Sequence, residues 1–161
     1  MIRFPGTHTL WTLVGLALLA VWPSGAAAAS RGDRIAEMLD RPGVRVVVVE
    51  FYATWCKPCM EAVPKWRAFH DQFRGEGLRL IAVDTQEPEP REACLKKLPW
   101  SPDETICDID NAIAERMGVG ERLPAATAWT WQGERLVSNA EFDETARAIK
   151  AYLKRAPRVV V

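Results

Sequence analysis

The stretch EFYATWCKPCMEAVPKW, residues 50–66, decides how this chain is read. Cys56 and Cys59 stand two residues apart behind Trp55. The run before them, VRVVVVEFY at 44–52, is apolar and β-branched apart from Arg45 and Glu50. Such a run reads as a strand covered on both faces, as in parallel-type sheets beneath helices. Behind the cysteines, Cys59, Val63, Trp66, His70 and Phe73 recur at intervals of three and four, which predicts a helix over 57–74. Pro64 should kink that helix, and Gly75 and Gly77 should end it. Cys56 therefore sits where a buried strand passes into a helix.

A closed zinc site needs four ligands, usually two close pairs or one pair with two histidines. Cys94 and Cys107 form no second close pair, and the chain has two histidines, His8 and His70. No metal is expected. A purely structural bond across so short a loop restrains the unfolded chain little. Redox use fits the placement better. A helix N-terminus offers unpaired N–H groups and partial positive charge, which favour thiolate over thiol, and Lys57 adds a cation. The thiolate is the attacking species in disulfide exchange. Cys59, one turn on, can return to resolve a mixed disulfide. Pro58 between them suits a first helical turn, where its missing N–H is not needed.

The rest of the chain sets the context. It has 161 residues, with acidic and basic side chains balanced at 21 each. That length suggests one folded domain, and the balance lacks the basic excess of a nucleic-acid binder. Residues 1–29 differ from the remainder: Arg3 is their only charge, LWTLVGLALLAVW at 10–22 is unbroken by charge, and Pro23 and SGAAAAS follow. Basic start, short apolar core and small-residue cleavage site are the order of a secretory signal. The alternative is an uncleaved anchor over 5–29. Either way the chain is expected to be exported, periplasmic or otherwise extracytoplasmic, with residues 30–161 forming the domain. Disulfides persist in such compartments.

Further along, 33–40 reads as a short helix and 78–85 as a second buried strand. A short helix before Pro99 and a strand at 104–109 follow. Next come a helix over 110–119 with Asp110 as N-cap, a strand at 125–131, a turn at Gln132-Gly133 with its hairpin partner, and an amphipathic helix at 143–155. Alternating elements closed by a hairpin and helix predict an α/β fold around one mixed sheet flanked by helices.

The segment VVVEFYATWCKPC resembles the active-site segment of the thioredoxin superfamily, with Pro64 five residues after the second cysteine. MGVGERLPAATAW, 117–129, is similar to the family stretch that carries a cis proline facing the cysteines, here Pro124. The resemblance covers about 44–155 and implies a thioredoxin fold. The extra helix and strand at about 86–109 resemble the insertion of TlpA-like and ResA-like exported reductases. Two features depart from that group. Its N-terminal hairpin has no counterpart, and its acid three positions after the second cysteine is Ala62 here. Glu50, six before Cys56, matches instead the buried acid of thioredoxins and protein disulfide isomerases.

The roles expected are these. Cys56 is the nucleophile and Cys59 the resolving thiol. Glu50 takes the proton from Cys59; a carboxyl buried among valines should titrate high, where a base is useful. Its rival reading is a glutamate facing water. The cis bond before Pro124 should present the backbone of Leu123 to an extended substrate. Trp55 shields the sulfurs or only packs, and Lys57 tunes the potential or is merely solvated. Cys94 and Cys107 are expected to form a structural disulfide, worth roughly 3 kcal/mol in the chain-entropy model. The rivals are two free thiols or a relay pair.

The expected activity is reduction of protein disulfides by dithiol–disulfide exchange, with no cofactor beyond the Cys56–Cys59 couple. Proline before Cys59 resembles the reducing members. The resemblance also implies a membrane or periplasmic thiol electron donor, clients such as apocytochrome c, and a monomer. The alternatives are a non-catalytic client-binding module, or an oxidase using the same cysteines. A peroxidase fits poorly, since it calls for a Thr and Arg supporting its cysteine and no Arg lies near Thr54.

Overall fold

The structure is a computed structural model and describes residues 33–93 and 101–156. Five strands form one mixed sheet in the order β3-β2-β1-β4-β5. They are β1 (Val46–Tyr52), β2 (Leu78–Asp84), β3 (Glu104–Cys107), β4 (Ala125–Thr130) and β5 (Arg135–Ala140). β1 pairs in parallel with β2 and antiparallel with β4; β3 extends the parallel half and β5 the antiparallel half. The helices are α1 (Asp33–Leu39), α2 (Lys57–Phe73), α3 (Pro90–Ala93), α4 (Ala112–Arg116) and α5 (Phe142–Arg155), and a short 3-10 turn spans Arg74–Glu76. This is the α/β sandwich expected, with the extra elements between β2 and β4 in place.

All seven residues of β1 are buried. Successive side chains of a strand point to opposite faces, and both faces here have a core. Val46, Val48 and Tyr52 pack with Trp66, Phe69, Ile149 and Leu153 of α2 and α5. Val47, Val49 and Phe51 pack with Met38 of α1 and with Ile113 and Ala114 of α4. The first layer is knit by aromatic edges: Trp66 meets Phe142 with ring centroids 4.8 Å apart at 90°. Burial of each such large side chain stabilises by roughly 1.5–3 kcal/mol.

Several expectations shift at element ends. α2 continues past Pro64, which lies on the solvent side of the helix. β3 stops at Cys107, not at 109, because Asp108 turns away to serve α4. Its N–H donates to the Asp84 carbonyl at 2.8 Å, and its carboxylate accepts the N–H groups of Ile113 and Ala114 at 3.0 and 2.9 Å. Asp108, rather than Asp110, thus satisfies the first turn of α4, and α4 spans only 112–116. His70 is buried and bonded to Asp103, with Nε2 to Oδ2 at 2.8 Å. Trp129 is half-buried under Arg135, whereas Trp131 lies past the strand end and is exposed.

Arg45, just ahead of β1, is buried. Its Nη2 donates to the carbonyls of Leu153 and Ala156 at 2.9 and 2.7 Å, capping the C-terminus of α5. Gly77 holds the other approach to the sheet with φ at +91°. A Cβ there would stand 2.4 Å from the Gly43 carbonyl oxygen. Gly77→Ala is therefore expected to destabilise the fold by about 2 kcal/mol or more, from left-handed strain and collision together. A lowered urea midpoint with unchanged slope would show it.

Candidate active site

β1 delivers the chain to a tight turn, in which the Cys56 N–H donates to the Ala53 carbonyl at 3.1 Å. Cys56 then takes an extended conformation (φ −78°, ψ 98°) as N-cap of α2, and its Sγ accepts the Cys59 N–H at 3.2 Å. An N-cap acceptor relieves one of the unpaired donors of the first turn, a place that favours a negatively charged atom. Pro58 occupies that first turn, as expected. Cys56 and Cys59 are joined in a disulfide, with Cα atoms 5.2 Å apart. Cys59 is fully buried and Cys56 is 3% exposed, so an incoming group meets Cys56 first.

The Leu123–Pro124 peptide bond is cis. Antiparallel pairing sets Ala125, the first residue of β4, opposite Phe51 near the end of β1, so the proline lies at the same edge of the sheet as the cysteines. Leu123 packs against the cluster that contains both sulfurs. A cavity of about 420 Å³ opens between the two segments, lined by Pro58, Ala62, Arg122, Leu123, Pro124 and Phe142 among others.

Glu50 is 1% exposed. It is not the solvent-facing residue of the rival reading: β1 is the central strand, and alternation puts Glu50 on the face shared with Val48, Tyr52 and the cysteines. Its register partners on the neighbouring strands are Ala82 and Ala126, so small residues flank the carboxyl. Oε1 has no hydrogen-bond partner among the described residues. Burial pushes the carboxyl well above the usual range, since the ionised form is poorly solvated there. Tyr52 is also pushed up, first by burial and then by the negative charges of Asp84, Glu50 and Glu87.

Trp55 is 56% exposed, yet fixed, because its indole Nε1 donates to the Gln86 carbonyl at 2.9 Å. Lys57 projects into solvent and sits 3.8 Å from Glu61, an exposed pair of little energetic weight. Cys107 ends β3 beside Asp84 and is disulfide-bonded; Cys94, its expected partner, lies outside the described residues. Residues 1–29, expected to be a signal or, over 5–29, an anchor, lie outside them too. Among the described residues no helix is long and apolar enough to cross a membrane, and no group of His, Cys, Asp or Glu is placed to hold a metal ion. One contributor went unread in the sequence. Glu87 accepts hydrogen bonds from the Thr54 N–H and, at 3.0 Å, from the Thr54 hydroxyl. Set among prolines and other acids, it has the look of a solvated loop, and no spacing flags it.

The profile of the AhpC/TSA family matches residues 31–140. The thiol-disulfide oxidoreductase ResA of Bacillus anthracis is 32% identical over 119 residues, 74% of this chain and 67% of that protein. Thioredoxin domain-containing protein 8 of Rattus norvegicus is 33% identical over 63 residues, 39% of this chain and 50% of that protein. Some curated relatives are spanned even less completely, a ResA of Bacillus cereus over 30% of its length. Among solved structures, a thiol:disulfide interchange protein DsbE from Chlorobium tepidum superposes with a TM-score of 0.58 at 20% identity, covering 74% of this chain and 84% of that one. At that identity the likeness concerns the fold, which is thioredoxin-like.

The raised Glu50 carboxyl has a measurable consequence. A group that holds its proton more tightly when folded stabilises the protein fully below its unfolded pKa, near 4.5, and loses that contribution as pH rises through the folded value. Glu50→Gln removes the dependence. Its unfolding free energy should gain on the wild type above pH 4.5, by up to about 1.4 kcal/mol per pH unit until Glu50 ionises. Denaturant titrations of both oxidised proteins from pH 4 to 9 would show the divergence; parallel curves would place the carboxyl in water.

Proposed function

The chain belongs to the AhpC/TSA family, and from that membership and the cysteine site we propose that it is a thiol–disulfide oxidoreductase that reduces disulfides in extracytoplasmic proteins. One observation carries the reading. A bonded cysteine pair caps a helix at the end of the central strand, at the same sheet edge as a cis proline.

In the reduced enzyme the helix N-terminus favours the Cys56 thiolate. That sulfur attacks one sulfur of the client disulfide; a Cys56–client bond forms as the client S–S bond breaks, and the departing client thiolate takes a proton. Cys59 then gives its proton to the Glu50 carboxylate and attacks Cys56 Sγ. The Cys56–client bond breaks, and the client's second sulfur leaves as thiolate. The client gains two electrons and the Cys56–Cys59 disulfide remains. Because Glu50 titrates high, its carboxylate is a base matched to a thiol rather than a permanently ionised bystander. Leu123, ahead of Pro124, offers its backbone to an extended client segment, and Trp55 contacts the client beside it. No cofactor is needed. A membrane or periplasmic thiol donor restores the dithiol. Residues 1–29 act as signal or anchor, the protein works as a monomer, and apocytochrome c is a fitting client because its haem cysteines must be reduced.

Insulin reduction tests this. Cys56→Ser should abolish turnover. Cys59→Ser should attack once and accumulate a mixed disulfide. Glu50→Gln should slow resolution by roughly 100-fold while leaving the first attack near wild type. Wild type and Cys56→Ser that both reduce insulin no faster than the enzyme-free background would leave only a client-binding module.

A further inference from the structure

The turn that carries the cysteines is gripped by two residues of the β2–α3 loop that the reaction above does not use. Gln86 has φ at +55°, the left-handed region. Its N–H donates to Asn111 Oδ1 at 2.8 Å, its carbonyl accepts the Trp55 indole at 2.9 Å, and its side-chain Nε2 donates to the Gly120 carbonyl at 2.8 Å. Next to it Glu87 spends both carboxylate oxygens on Thr54, one on the N–H and one on the hydroxyl. These bonds tie together the turn before Cys56, the loop before α4 and the loop that leads to Pro124. A fork of two hydrogen bonds to an ionised acceptor is stronger and more directional than a single neutral one.

The grip comes with a charge. Glu87 is half-buried, where screening by water is incomplete. Its carboxylate stands two residues from the nucleophile, and its field reaches Tyr52 on β1. The other ionisable groups about this end of the sheet include Glu50 and Tyr52 of β1, Lys57, Glu61 and Lys65 of α2, Asp84 of β2, Asp108 and Asp110 beyond β3, and Glu121 and Arg122 before the cis proline. Acids outnumber bases among them, and the Lys57 ammonium leans toward Glu61.

We propose that Glu87 is a positioning residue of the redox site: its carboxylate fixes the Thr54–Cys56 turn, and its negative charge opposes the helix terminus, disfavours the Cys56 thiolate and keeps the couple reducing. This rests on the oxidoreductase reading. The sense of the effect follows from linkage: whatever destabilises the thiolate destabilises the reduced enzyme, and the dithiol gives up its electrons more readily.

The test is the pH profile of Cys56 alkylation by iodoacetamide on the fully reduced protein, together with its equilibrium against glutathione at pH 8. Glu87→Gln keeps the side chain's shape and removes its charge. It should move the alkylation midpoint to lower pH, with about a threefold change in the acid constant, and shift the glutathione equilibrium toward reduced enzyme about twofold. Glu87→Ala should shift the midpoint in the same direction and also lower the insulin rate, because Thr54 is released. Glu87→Asp, which keeps the charge, should stay near the wild-type midpoint. Profiles of Glu87→Gln and Glu87→Ala that superimpose on wild type would overturn the proposal. So would a Thr54→Val variant that reproduces the Glu87→Gln shift with the charge still present. Alkylation needs no client, so a wild type unable to reduce insulin would count against the catalytic reading and leave this measurement intact.

Discussion

The turn that carries the cysteines hangs from the carboxyl end of β1, a strand paired on both edges and covered on both faces. Such a strand has no freedom to slide. Slipping it by one residue would turn its valines out of one core into the other and carry Glu50 to the wrong side of the sheet. The two hydrophobic layers thus act as a gauge. They set which side chain lies beneath the cysteines, where the turn at 53–55 begins, and how far the N-terminus of α2 stands from the cis proline. Chemistry that depends on placement is here delegated to a strand that has only one way to sit.

The sulfurs are held in an electrostatic compromise. The first turn of α2 supplies donors and partial positive charge, one of them already spent on Cys56 Sγ. Against it stand the buried Glu50, Asp84 and the half-buried Glu87, three acids whose fields converge on Tyr52. A site with only the helix terminus would hoard electrons as a stable thiolate, and one with only the acids would lack a nucleophile. The exposed cation at Lys57 contributes little to this balance, being spread in water beside Glu61.

The chain's own pattern displays the strand, the following helix and the paired sulfurs because each is local: continuous apolar residues, a 3–4 repeat, a fixed spacing. Pro124 was legible only through likeness to a family, since nothing nearby in sequence requires a cis bond. Glu50 stands out as an acid in a valine run, and its role too was legible through likeness to a family. What stayed hidden was decided by distant partners. Asp108, rather than Asp110, serves the α4 terminus because it follows the end of β3, where its N–H is held by the Asp84 carbonyl. Glu87 matters because the β1 and β2 loops meet across the sheet edge, and no run of adjacent residues encodes that meeting.

The guanidinium of Arg45 reaches carbonyls of the last helix 108 residues later. A ribosome releases the β1 segment and its cysteines long before β4 and α5, yet β1 cannot close either core without them. Until then the nascent chain carries two reactive sulfurs with no shelter and no facing proline. The cluster that encloses them draws on β4 and α5 as well as on their own helix, so full protection comes late. A chain of this design depends, during its own synthesis, on surroundings that keep thiols from pairing early.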